Sequence, residues 1–124
     1  MGGRVLTILR DDRPDIPCPN MWDLVGGGAD PGEDPWTCLC REASEEVALD
    51  LSEAELLWQR RYLAVHSEGW VMFYVLRLPA AAEAGIVLGD EGQRWRLMEP
   101  PAFTALPDAV PSLQSRLRDW LATR

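Results

Sequence analysis

Lysine is absent from this chain of 124 residues, histidine occurs once and cysteine three times. All twelve basic residues are arginines, set against twenty acidic ones, for a formal net charge of −8. A surplus of that sign argues against general nucleic-acid binding, which depends on a basic surface that neutralises phosphates. The arginines can hold phosphate or carboxylate by paired hydrogen bonds, although a lysine-free chain equally reflects a composition bias. Cys18, Cys38 and Cys40 are too few and wrongly spaced for a zinc site, so they read as reduced packing residues. No run reaches the roughly 18 apolar residues of a membrane span. Met-Gly-Gly-Arg enters a strand pattern with no signal-like hydrophobic region, so the expectation is a cytoplasmic protein without a membrane partner.

What is present suffices for one core. Hydrophobic residues make up 47% of the chain and six of them are Trp, which fits a single domain over residues 1–124. Residues 4–9 are β-branched and apolar enough for a buried strand, and a polar loop punctuated by Pro14 and Pro17 follows. Trp22 to Val25 makes a short strand leading to Gly26. Residues 56–65 and 69–78 read as two long strands joined by a turn at His66–Gly69, and the lone His66 is a turn residue rather than a catalytic base. The second of these strands is apolar on both faces, which predicts a central position in its sheet. Trp95 to Met98 is a further strand. Residues 102–106 form a helical turn, and residues 111–122 a helix with Leu113, Leu117, Trp120 and Leu121 on one face.

The densest chemistry lies between Gly26 and Leu49. Asp34 followed by Pro35 is a helix start, because an Asp side chain caps free N–H groups and proline at the first position loses no needed bond. From there to about Ala48, Trp36, Leu39, Cys40, Ala43 and Val47 share one side of the helix. Glu42, Glu45 and Glu46 crowd another, with Arg41 in reach of Glu45 and Glu33 just upstream. On a solvated helix such like charges cost only a few tenths of a kcal/mol per pair, so a plain acidic face is one reading. Oxygen ligands gathered with room for water also suit a hard divalent cation, magnesium or manganese.

The order and spacing of Gly27, Glu33, Arg41, Glu42, Ala43, Glu45, Glu46, Ala48 and Leu49 resemble the signature of the Nudix hydrolases. With this composition the six polar and glycine matches would arise by chance with a probability on the order of 10⁻⁵. Two positions depart: Ala48 stands where the family has Gly, and Val25 where MutT-type members carry Pro. A second stretch, Glu91-Gly92-Gln93, resembles the Glu-Gly-Gln element of MutT-type members, whose Glu reaches the metal site.

The resemblance implies an α+β fold, an α/β/α sandwich with a mixed sheet between helices. It also implies that the usual first N-terminal strand is missing, which predicts an unusual sheet edge or a homodimer that covers it. It further implies a magnesium-dependent diphosphohydrolase in which Glu42, Glu45, Glu46, the Gly26 carbonyl and Glu91 hold the ion and acidify the attacking water. Glu45 or Glu46 would orient or deprotonate that water, with Arg41 and Glu33 keeping loop and helix in register. Arg10, Gly27, Glu33 and Trp22 are the candidate substrate contacts, Arg10 for phosphate and Trp22 for stacking on a base. The base-reading Asn of MutT-type members falls at Ala109, beside Asp108.

Three functions follow. The leading one is cleavage of a nucleoside triphosphate, including oxidised dGTP, to monophosphate and pyrophosphate. The second is hydrolysis of ADP-ribose or another nucleoside diphosphate derivative. The third is a Nudix-fold nucleotide-binding module without turnover.

Overall fold

The computed structural model describes residues 1–26 and 30–124. Its first strand, β1 (Val5–Leu9), lies between β2 (Trp22–Leu24) and β5 (Arg94–Met98), antiparallel to both. Leu9 pairs with both Trp22 and Arg94, so the end of β1 and the starts of its two neighbours meet at one edge. The loops that leave and enter there, residues 10–21 and 89–93, are thereby brought together.

Alternation along β1 sends successive side chains to opposite faces of the sheet. Ile8 packs on one side with Ala43 and Val47 of α1 (Pro35–Val47), and with Leu49, Leu51 and Ile86. Leu9 packs on the other with Trp22, Met98, Phe103 and Leu117, beneath α2 (Pro100–Ala105) and α3 (Pro111–Leu121). The result is the expected sandwich, with a sheet between helices. Ahead of β5 the alanine-rich stretch forms a 3-10 helix, Ala80–Gly85.

The remaining strands, β3 (Glu55–Leu63) and β4 (Trp70–Arg77), form an antiparallel hairpin with a register shift between Leu56 and Trp58. Central placement of β4 is not what the structure has: among the described residues it pairs only with β3. Its two apolar faces have another cause: one meets Trp36 of α1, and the other meets Tyr62 of its hairpin partner, which is bonded to α3. Trp36 of α1 meets Tyr74 edge to face at 5.5 Å, while Phe73 meets Tyr62, whose hydroxyl donates to Asp119 of α3 at 2.7 Å. The named strands pair antiparallel throughout, and the parallel element of the mixed arrangement is a bridge between Trp22 and Ala109. An apolar groove of about 160 Å³ separates β4 from β1, lined by Val5, Leu6, Leu39 and residues 73–76 among others.

Candidate active site

Helix α1 starts as its sequence dictates. The Asp34 carboxylate accepts from the Thr37 amide at 2.8 Å and the Thr37 hydroxyl at 3.0 Å, and Pro35 follows it. The helix ends at Ala48, which adopts a left-handed conformation (φ 58°, ψ 30°) while its amide reaches the Ser44 carbonyl at 3.1 Å. A Cβ in that region costs about 1 kcal/mol, so the family's glycine is replaced here at the one position that favours it most.

Arg41 gathers the acids on the outer side of α1. Its guanidinium donates to both oxygens of Glu33, at 2.9 and 3.0 Å, to Glu45 at 3.1 Å, and sits 3.0 Å from Glu42. Glu33 also accepts from the Asp30 amide at 2.9 Å. The paired Arg41 bonds, with that amide, hold the Glu33 carboxyl down at about 2. Glu33 is therefore a brace between loop and helix, committed to Arg41 rather than turned to a substrate. Glu45 is 59% exposed on the same guanidinium.

Glu46 faces the other way. It lines a cavity of about 120 Å³ with Arg10, Arg13, Asp23, Glu91 and Ile8. Its carboxylate accepts from the Gly26 amide at 3.2 Å, which places the start of the glycine turn against it. Burial, reinforced by the charges of Glu42, Asp23 and Glu91, pushes Glu46 up to about 8. Burial also raises Glu42, against the pull of Arg41, and the Glu45 and Glu91 charges add to the rise. Among the described residues Glu46 has no positive partner of its own and Glu42 shares Arg41 with Glu33 and Glu45, which is the state an added cation would relieve.

The carboxylates are divided more sharply than their spacing predicts. Among the described residues no three His, Cys, Asp or Glu side chains converge as a ready metal cage. The reason is Arg41, which draws Glu33, Glu42 and Glu45 to itself and leaves Glu46 and Glu91 in the cavity. The donors are nonetheless all oxygen and mutually repelling, so their chemistry fits a hard divalent ion.

Of the substrate candidates, Arg10 lines the cavity and is held by Asp23 at 2.8 Å and the Pro17 carbonyl at 3.0 Å. Trp22 does not reach it. Only 6% exposed, it points into the Leu9 face of the sheet, with Arg94 over its ring at 5.6 Å, so a stacking role does not fit. Ala109, 1% exposed and bridged to Trp22, lies in the same core and reads no base. Gly27 falls outside the described residues.

Two residues escaped the sequence reading. Asp23 occupies the cavity in place of Trp22, as strand alternation would have indicated, and burial raises its carboxyl despite the Arg10 pair. Gly89 is the other: its amide donates to the Glu46 carbonyl at 2.8 Å, and a Cβ there would collide with the Glu45 carbonyl oxygen. Nothing local in the sequence marks that contact.

A family model described as the NUDIX domain matches residues 1–121, so the chain belongs to the NUDIX family. Among curated proteins it is similar to an RNA pyrophosphohydrolase of Actinobacillus pleuropneumoniae serotype 5b (strain L20). The two are 31% identical over 81 residues, 64% of this chain and 36% of that protein. The match thus spans little more than a third of that relative's length. Among solved structures it is similar to a C. elegans Ap4A hydrolase binary complex, at TM-score 0.75 and 22% identity over 97% of this chain and 86% of that one. It is also similar to the E. coli dihydroneopterin triphosphate pyrophosphohydrolase, at TM-score 0.72 and 22% identity over 98% of this chain and 88% of that one. At such identities the likeness establishes a common fold.

Proposed function

We propose that this domain hydrolyses a nucleoside triphosphate to monophosphate and pyrophosphate with magnesium. The observation that carries the reading is a single cavity lined by the acids Glu46, Asp23 and Glu91 together with Arg10 and Arg13. Glu46, Glu42, Glu45, Glu91 and the Gly26 carbonyl would hold magnesium, with manganese as a substitute. When bound, the ion supplies positive charge against the phosphate chain and acidifies water.

The chain's own residues do the rest. Glu46, deepest of the helix acids, orients the attacking water and takes its proton as the water oxygen bonds to phosphorus. One phosphoric anhydride bond breaks and pyrophosphate departs. Arg41 and Glu33 fix the loop relative to the helix so that Glu46 keeps its aim. Arg10, neutralised by Asp23, shapes the wall.

A second reading is favoured by the resemblance to an RNA pyrophosphohydrolase: the triphosphate would be the 5′ end of an RNA. The net charge of −8 disfavours contact with a long RNA backbone, so the free nucleotide leads. One panel with magnesium separates these readings from the others. Pyrophosphate released from nucleoside triphosphates, oxidised dGTP among them, supports the first, and release from a triphosphorylated oligoribonucleotide alone supports the second. Monophosphates from ADP-ribose point to the diphosphate-derivative reading, and silence across the panel to a binding module.

The homodimer and the cytoplasmic location stand as proposals beside this one. The dimer is supported by the side of β4 that pairs with no strand among the described residues and by exposed Leu63, Val65 and Trp70, and is tested by the mass of the protein in solution. No helix among the described residues is long and apolar enough to cross a membrane.

A further inference from the structure

The loop between β1 and β2 is tied to the loop that carries Glu91. Gln93 donates through its side-chain amide to the Arg10 carbonyl at 2.8 Å and to the Asn20 side chain at 2.9 Å. The Gly92 amide donates to the Asp11 carboxylate at 3.2 Å, and the Gln93 amide to the Leu9 carbonyl at 2.8 Å. These bonds hold Arg13, on the first loop, at the same cavity that Glu46 and Glu91 line.

Arg13 and Arg10 are used differently. Arg10 is locked between the Pro17 carbonyl and the half-buried Asp23. Arg13 instead makes a two-pronged contact with Asp15, at 3.1 and 2.5 Å, and both side chains are about 60% exposed. A guanidinium fork matches a phosphate as well as it matches a carboxylate, and an exposed pair of this kind adds little to stability. Its partner is therefore exchangeable at small cost.

We propose that Arg13 is a specificity-determining residue: it trades Asp15 for an anionic group of the substrate beyond the phosphates seated at these acids. The Asp15 carboxylate stands in for that group in the free protein. The cavity then selects substrates with a further phosphate, such as triphosphates, over those whose second group is an uncharged sugar. Gln93 and Asp11 are positioning residues that keep the fork over the cavity. The inference rests on the triphosphate reading for its substrate, and its test includes a binding arm that needs no turnover.

The variants are Arg13→Ala, Arg13→Lys, Asp15→Asn and Gln93→Ala, compared with wild type in magnesium. Two measurements are made: steady-state kinetics on a nucleoside triphosphate and on ADP-ribose, and calorimetric binding of inorganic triphosphate. Arg13→Ala should weaken inorganic triphosphate binding and raise KM for the nucleoside triphosphate about tenfold, the scale of one charge-assisted bidentate contact. The change falls on KM more than on kcat and is absent with ADP-ribose. Arg13→Lys should lie between the two, because it keeps the charge and loses the fork. Asp15→Asn should tighten binding, since the competitor is gone, and Gln93→Ala should reproduce a smaller Arg13→Ala effect. Equal KM in wild type and Arg13→Ala, or the same loss with both nucleotides, would overturn the proposal. If no variant or wild type turns over but inorganic triphosphate binding still follows Arg13 and Asp15, the proposal stands and the hydrolase reading falls.

Discussion

Two concavities among the described residues are of similar size and made of opposite materials. One, about 120 Å³, is walled by Arg10, Arg13, Asp23, Glu46 and Glu91; the other, about 160 Å³, by Val5, Leu6, Leu39, Phe73 and their neighbours. The first holds charges that are incompletely compensated, which costs stability and is tolerated where chemistry needs it. The second holds apolar surface that adds to the core it borders. Substitutions in the first should therefore alter turnover more than folding, and in the second folding more than turnover.

The strongest break of that contrast would come from Glu46→Gln. It removes the deepest of the helix acids from the polar cavity and should lower kcat for magnesium-dependent pyrophosphate release by about 10²-fold or more, with the melting temperature held or raised. Glu45→Gln should also lose turnover, but less, because Glu45 points at Arg41 from an exposed position. Wild-type rates in both would remove the site. In the apolar groove, Phe73→Ala should cost about 3 kcal/mol in denaturant unfolding, as large-to-small core changes do, with KM of the folded fraction unchanged.

The acidity of Glu46 sharpens the same contrast through pH. Its carboxyl is raised in the folded state to about 8 from an ordinary 4.5, so the folded protein binds the extra proton. The stability this contributes is complete below about pH 4.5 and is lost as pH rises through about 8. Melting curves of metal-free protein should thus fall across that window, more so than those of Glu46→Gln, and magnesium should restore them at the alkaline end. Glu33 has the opposite sign. Lowered to about 2 by Arg41, it adds stability above about 4.5 that disappears as pH falls through 2.

The smallest effect belongs to neither concavity and serves as their control. Ala48→Gly relieves the left-handed helix end and should stabilise the protein by about 1 kcal/mol, with kcat and KM unmoved. A larger kinetic change would mean that the helix end is coupled to the aim of Glu46.

Much of the fold was legible in the chain. Asp34 and Pro35 marked the start of α1, the period of 3.6 marked α3, and His66–Gly69 marked the hairpin, because each signal is local. The acids were legible in spacing but not in orientation. Four carboxylates on one stretch read as one patch, whereas Arg41 collects Glu33, Glu42 and Glu45 and leaves Glu46 to the cavity. Which of Trp22 and Asp23 faced the site depended on the parity of β2, and that is set by its pairing with β1. The single-sided pairing of β4 was illegible for a similar reason: helices and strands both produce apolar faces.

Gly89 has a mechanical meaning. With its amide on the Glu46 carbonyl and its bare Cα against the Glu45 carbonyl, the Glu91 loop rests on the final turn of α1. The start of the Glu91 loop is thus seated against the backbone of the same two residues whose side chains are the acids Glu45 and Glu46, and no side chain larger than hydrogen fits at the seam.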